Sequence, residues 1–170
     1  SLASRLHLKV ADILLKLQES GYIDALSHAM YCFKKYDDAE YINISARLSN
    51  IFIEQGRFDR AAKIQKELGE WYEEKLDIEE AIVHYTSCAS LYDNLTNLSS
   101  TIRIKIADLA SSIGRYPEAI STYKTIGTSS LNNNMLKYIA SRYFTQAVIC
   151  CLAMGDTVAA RNNLIAFGNL

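Results

Sequence analysis

The apolar positions of this chain recur every three or four residues. In DIEEAIVHYTSCASLYD (77–93) they fall at 78, 81, 82, 85, 88, 89 and 92. In MLKYIASRYFTQAVICCLAM (135–154) they fall at 136, 139, 140, 143, 144, 147, 150, 151 and 154. Such spacing gathers apolar side chains on one face of a 3.6-residue helix. No segment alternates with a period of two over the length of a strand, so no sheet is predicted. Breaks fall near 20–21, 37, 56, 76, 94–99, 114–115, 128–134 and 155. Between them the pattern predicts helices at roughly 3–19, 22–36, 38–55, 58–75, 77–93, 99–113, 116–127, 134–154 and 156–168.

The punctuation agrees. One Pro and seven Gly in 170 residues suit long helices joined by short turns. Gly56, Gly114 and Gly155 mark helix ends, and Pro117 falls in a first turn, where a missing N–H is tolerated. Asp77, followed three residues later by Glu80, reads as an N-terminal capping pair.

Two of these helices open alike. EAIVHY (80–85) returns as EAISTY (118–123), 38 residues on. GRFDRAAK (56–63) and GRYPEAIS (114–121) share a Gly-x-aromatic-x-x-Ala opening. Thirty-eight residues is one helix–turn–helix unit, somewhat longer than the roughly 34 of a tetratricopeptide repeat. Ala81 and Ala119 are expected at close helix–helix contacts. The expected fold is therefore all-α. It is a right-handed stack of antiparallel helical hairpins, a TPR-like α-solenoid of about nine helices, forming one domain over 1–170.

Composition narrows the function more than the fold. With 49% hydrophobic and 22% charged residues the chain is an ordinary globular one. A net charge of −1 and a pI near 6.3 argue against a uniformly basic nucleic-acid binder, so no nucleic-acid partner is expected. Apolar runs of about four residues fall far short of the roughly 20 that span a bilayer. No secretory signal is recognisable, and an opening Ser rather than Met is expected of a processed or truncated chain. Cys32, Cys88, Cys150 and Cys151 include no CxxC pair, and reduced, mostly buried thiols in a cytosolic protein are expected.

Catalytic motifs are missing. There is no Walker A loop, G-x-S-x-G or H-E-x-x-H. His7, His28 and His84 fall on three different predicted helices, so no metal or cofactor site is expected. His84 reads as a surface or groove residue, and Trp71 in EWYEE (70–74) as core with its glutamates in water. A thiol enzyme built on Cys150 or Cys151 is weighed against two buried helical cysteines. Basic residues recur on successive helices, among them Arg57, Arg60, Lys63, Lys66, Arg103, Lys105, Arg115, Lys124, Lys137 and Arg142. They are read either as solvated surface charge or as one face binding an elongated acidic partner.

The stretch GRFDRAAKIQKELGEWYEEKLDIEEAIVHYTSCASLYD (56–93) resembles the soluble NSF attachment proteins, nearest the α/β type. The resemblance continues in KIADLASSIGRYPEAISTYKTIGTSSL (105–131) and LKYIASRYFTQAVICCLAMGD (136–156), and covers about 37–156. It implies an all-helical adaptor without enzymatic activity or cofactor, cytoplasmic and peripherally associated with membranes. Such an adaptor clasps the four-helix SNARE bundle on a basic concave face and recruits the hexameric ATPase NSF. The resemblance places Arg57 and Lys63 of GRF…AAK, and Lys105 of KIA, at SNARE-contacting positions. Arg103 stands in for a second family lysine, because DNLTNLSSTIR (93–103) is shorter than its family counterpart. Gly155–Asp156 falls near a family acidic position. The family's membrane loop and NSF-engaging C-terminus are not recognisable in these residues. The alternative is a TPR-like scaffold for another helical or peptide partner.

Overall fold

The computed structural model describes residues 2–16, 21–92, 96–131 and 137–168. Among them are nine helices and no strand. They are α1 (Leu2–Lys16), α2 (Tyr22–Phe33), α3 (Asp38–Glu54), α4 (Phe58–Glu74), α5 (Ile78–Leu91), α6 (Thr96–Ser112), α7 (Tyr116–Leu131), α8 (Lys137–Ala153) and α9 (Thr157–Gly168). Each packs chiefly on the helix before and the helix after it. Short turns make neighbours antiparallel, so the architecture is the expected TPR-like stack of helical hairpins.

Three described boundaries lie three or more residues from expectation, one of them the end of α2, at Phe33 and not 36. α6 begins at Thr96, inside the predicted break, and α7 continues past 127 to Leu131. The α7 extension has a packing cause. Gly127 lies against Phe144 of α8, and a Cβ there would stand 2.5 Å from the ring. This glycine serves close helix approach and does not end the helix. The Thr125 and Thr128 hydroxyls donate back to the Ser121 and Lys124 carbonyls, so they do not break the ladder either.

The turns share one design. After α3, α4, α6 and α8 the last turn closes with a bond spanning five residues: Arg57 N–H to Phe52 O, Asp77 to Tyr72, Arg115 to Ala110, and Asp156 to Cys151. This closure needs a left-handed residue just before the donor. Glycine supplies it three times, and Leu76 (φ 63°) supplies it once, after α4. Three helices, α3, α5 and α9, start on a carboxylate, whereas α4 starts on Arg57 with no side-chain cap. Asp37, Asp77 and Asp156 accept from the backbone N–H of Glu40, Glu80 and Ala159.

Side-chain links set the helices in two layers. Gln65 of α4 donates to Ser49 of α3 (3.0 Å) and pairs with His84 Nδ1 of α5 (2.8 Å). About 80° further around α4, Glu73 is bonded by Lys105 of α6 (2.6 Å). So α4 neighbours α6 in one layer, over α3 and α5 in the other. Tyr123 of α7 donates to Asp108 of α6 (2.5 Å), carrying the arrangement onward. Ion pairs tie the turns after α4 and α6 to the start of an earlier helix: Lys75–Asp38 (2.9 Å) and Arg115–Glu79 (3.2 Å). Both are exposed and contribute at most about 1 kcal/mol each.

The core runs through the stack. Leu26, Phe33, Tyr41, Leu48, Phe52 and Trp71 fill its first part. Ala81, Tyr85, Cys88, Ala107, Tyr123 and Ala147 fill the second, and Tyr72 and Leu91 pack against both parts. Ala81 and Ala119 are fully buried, as the repeated motif predicts.

Candidate partner-binding face

The layer containing α4 and α6 carries most of the charge between residues 59 and 108. On α4 the outward stripe is Asp59, Lys63, Lys66, Glu70 and Glu74, all exposed, with Glu73 at its margin. This follows from helical spacing, since the buried positions Ala61, Ala62, Ile64, Leu68, Gly69 and Trp71 take the other faces. On α6 the corresponding stripe is Thr101, Lys105, Asp108 and Ser112. The opposite layer exposes neutral positions such as Asn43, Asn50, Val83, Thr86, Ser90, Ser121, Thr125 and Thr128, and acids at Asp38, Glu54, Glu79, Glu80 and Glu118.

Buried tyrosines brace the charged layer from beneath. Tyr85 donates its hydroxyl to Glu73 Oε2 (3.0 Å), while Lys105 Nζ holds Oε1 of the same carboxylate. Burial, with the Glu73 bond and charge, pushes the Tyr85 phenol far above its ordinary pKa. Tyr123 is held by Asp108 in the same way. These are the final tyrosines of EAIVHY and EAISTY, so the repeated motif places a phenol under each interhelical groove. Tyr41 is also buried, but its hydroxyl has no hydrogen-bond partner among the described residues, and burial raises its pKa to about 12.

The four residues singled out in the sequence do not share one face. Lys63 is exposed on the α4 stripe and has no ion pair among the described residues. Lys105 is on the same layer but bound to Glu73. Arg57 caps α4 at the α3–α4 turn, its guanidinium 5.0 Å from the Phe52 ring centroid, with Arg60 at 5.7 Å from the same ring. Arg103 is two positions from Lys105, about 200° around the helix. It donates to Ser99 and opens into a cleft lined by Thr86, Ala89, Ser90, Ile106 and Thr122, between α5 and α7.

The glutamates of EWYEE were expected in water; Glu74 is exposed, but Glu70 and Glu73 are each held by a lysine. Glu70 pairs with Lys66 at i,i+4 (3.3 Å), a spacing legible beforehand. Glu73 with Lys105 spans 32 residues and has no local signal. Of the two readings of His84, surface or groove, the structure has the groove, between α4 and α5. His84 is half-buried, stacked on Tyr72 at 5.1 Å, and burial lowers its pKa. Cys88, Cys150 and Cys151 are buried, Cys32 is partly exposed, and all four are free thiols. No group of three or more metal-ligating side chains occurs among the described residues, and none of their helices is long and apolar enough to cross a membrane.

Comparison with known proteins places this architecture. The profile described as soluble NSF attachment protein, SNAP, matches residues 1–170. The alpha-soluble NSF attachment protein of Vitis vinifera is 36% identical over 142 residues, which is 82% of this chain and 49% of that protein. The Homo sapiens alpha-soluble NSF attachment protein is 39% identical over 127 residues, 72% of this chain and 43% of that protein. A probable vesicular-fusion protein sec17 homolog of Schizosaccharomyces pombe is 33% identical over 166 residues, 94% of this chain and 56% of that protein. The chain thus spans about half the length of the curated relatives it matches. With a profile match over residues 1–170 and these relatives, the chain belongs to the soluble NSF attachment protein family, as the stretches at 56–93, 105–131 and 136–156 implied.

Proposed function

We propose that this protein is a non-enzymatic adaptor in SNARE disassembly. It binds the assembled four-helix SNARE bundle through its charged layer and brings the NSF hexamer to it. The 170 residues act as one TPR-like domain in this role. Lys63 and Lys105 supply positive charge on the α4–α6 layer, and Arg57 extends it at the α3–α4 edge. Arg103, opening between α5 and α7, contributes from the other side or by reaching over the edge. NSF engagement and peripheral membrane contact belong to regions outside the recognisable motifs, and the protein works in the cytoplasm at membrane surfaces.

One observation carries the proposal: the family match runs over the whole chain, with relatives named as NSF attachment and vesicular-fusion proteins. Lys63, Lys66 and Lys105 are the cations an acidic rod would meet on this layer, where they stand among Asp59, Glu70, Glu73, Glu74 and Asp108. Co-precipitation of an assembled SNARE bundle by the full-length protein, with and without NSF, tests the proposal. The expected result is capture of the bundle alone, and of NSF only when the bundle and the adaptor are both present. Failure to capture the bundle overturns the proposal.

A further inference from the structure

Lys105 is not a freely available cation. Its Nζ lies 2.6 Å from Glu73 Oε1, the shortest ion pair described, although both side chains are partly solvated, 42% and 30% exposed. Glu73 cannot easily leave. Its other oxygen accepts from the Tyr85 hydroxyl at 3.0 Å, and Tyr85 is a core residue, 2% exposed, packed against Gly69 of the helix that carries Glu73. The other nearby carboxylates offer Lys105 less. Glu70 is taken by Lys66 at 3.3 Å, and Asp108 by Tyr123. The carboxylate is thus anchored by α5 and α4 while the cation comes from α6.

We infer that Glu73 is an internal competitor for Lys105: it stands where an acidic group of a partner would stand, and it sets how strongly that partner is held. An incoming carboxylate must displace a fixed one, so Lys105 contributes only the difference between the two pairings. Of the three lysines on this layer, Lys66 is paired with Glu70, Lys105 must be won from Glu73, and Lys63, which has no ion pair among the described residues, is met without displacing a bonded carboxylate. Only sufficiently acidic ligands win Lys105, which makes Glu73 a specificity-determining residue that acts through it. The inference rests on the adaptor role proposed above only for the identity of the ligand.

The test is a double-mutant cycle read by equilibrium binding at low salt. Glu73→Gln removes the charge and leaves an amide oxygen that still accepts from Tyr85, so the anchor to the core is preserved. Lys105→Gln removes the contested cation. Two probes are used, an assembled SNARE bundle and poly-L-glutamate. Glu73→Gln should tighten binding of at least one probe by roughly two- to fivefold, the range of an exposed charge pair. That gain should vanish in the Lys105→Gln background, because nothing remains to be released. Weaker or unchanged binding in Glu73→Gln overturns the inference. So does an equal gain in both backgrounds, which is plain relief of repulsion without Lys105. Tightened binding of poly-L-glutamate, by a protein that ignores the SNARE bundle, upholds the competition and sinks the adaptor role. No binding of either probe by any variant overturns both. Circular dichroism of each variant verifies that all four corners of the cycle are folded.

Discussion

Gly127→Ala tests the packing of the hairpins through a reversal of sign. In an open helix interior this change stabilises by about 0.8–1.0 kcal/mol, because alanine loses less backbone entropy than glycine. Here the added Cβ would stand 2.5 Å from Phe144 Cε1 and 2.9 Å from Cδ1 and Cζ. Carbon atoms rest at about 3.5–4.0 Å, so the ring must retreat by about 1 Å. That retreat disturbs a packed ring: Phe144 is 4% exposed and stacks on Phe167 at a centroid distance of 4.1 Å. Overpacking of this kind costs about 1–3 kcal/mol. Set against the propensity gain, the net loss is about 1–2 kcal/mol at the upper end of that range, or about 2–8 °C in melting temperature for a chain of this size. Thermal unfolding followed by circular dichroism reads it. In a Phe144→Leu background the clash is relieved, and the same Gly127→Ala change should raise the melting temperature. A rise in the unaltered background refutes the close approach of α7 and α8.

Three further outcomes follow from single residues. Leu76→Gly should raise stability by about 0.5–1 kcal/mol in urea denaturation, because Leu76 is left-handed at φ 63° and 83% exposed, so strain is relieved with little burial lost; an unchanged or lower midpoint contradicts this. Burial depresses the His84 pKa from 6.5, so the unfolded chain binds this proton more readily. His84 therefore contributes stability that is complete above about pH 6.5 and is lost as pH falls through the depressed folded value; the decline from about pH 7 to pH 5 should be shallower in His84→Gln, and an identical slope would exclude His84 as its source. Burial pushes the Cys88 thiol up to about 11, so a thiol reagent at neutral pH should modify partly exposed Cys32 first and reach Cys88, Cys150 and Cys151 only on unfolding. Rapid labelling of Cys150 or Cys151 would instead favour a nucleophilic role.

Helix number, type and most boundaries were legible because burial follows a period of 3.6 and the turns are short. Ala81 and Ala119 were legible because the EAI motif repeats, and Asp77–Glu80 because a cap is local. The α7 end was not. Gly127 and the Thr-Ser run after it look like a terminator, yet the glycine admits the Phe144 ring, and threonine hydroxyls bond to their own helix. Leu76 hid the left-handed turn that glycine advertises at 56, 114 and 155. The basic residues were legible as a set but not as a surface. A helix turns about 100° per residue, so Arg103 and Lys105 diverge. Pairing with Glu73 spans 32 residues and is decided by how α4 and α6 stack, which no local pattern encodes.

The most direct measurement is the affinity of the protein for an assembled SNARE bundle at about 0.1 M and about 1 M salt, for the unaltered chain and for the double reversal Arg57→Glu, Lys63→Glu. Raising the salt shortens the Debye length from about 10 Å to about 3 Å and should weaken binding strongly. At low salt the double reversal should bind about tenfold more weakly or worse, through a slower on-rate and added repulsion, while its circular dichroism stays helical. Binding that is undiminished at high salt, or a folded double variant with unaltered affinity at low salt, would contradict a charged layer as the SNARE-binding face.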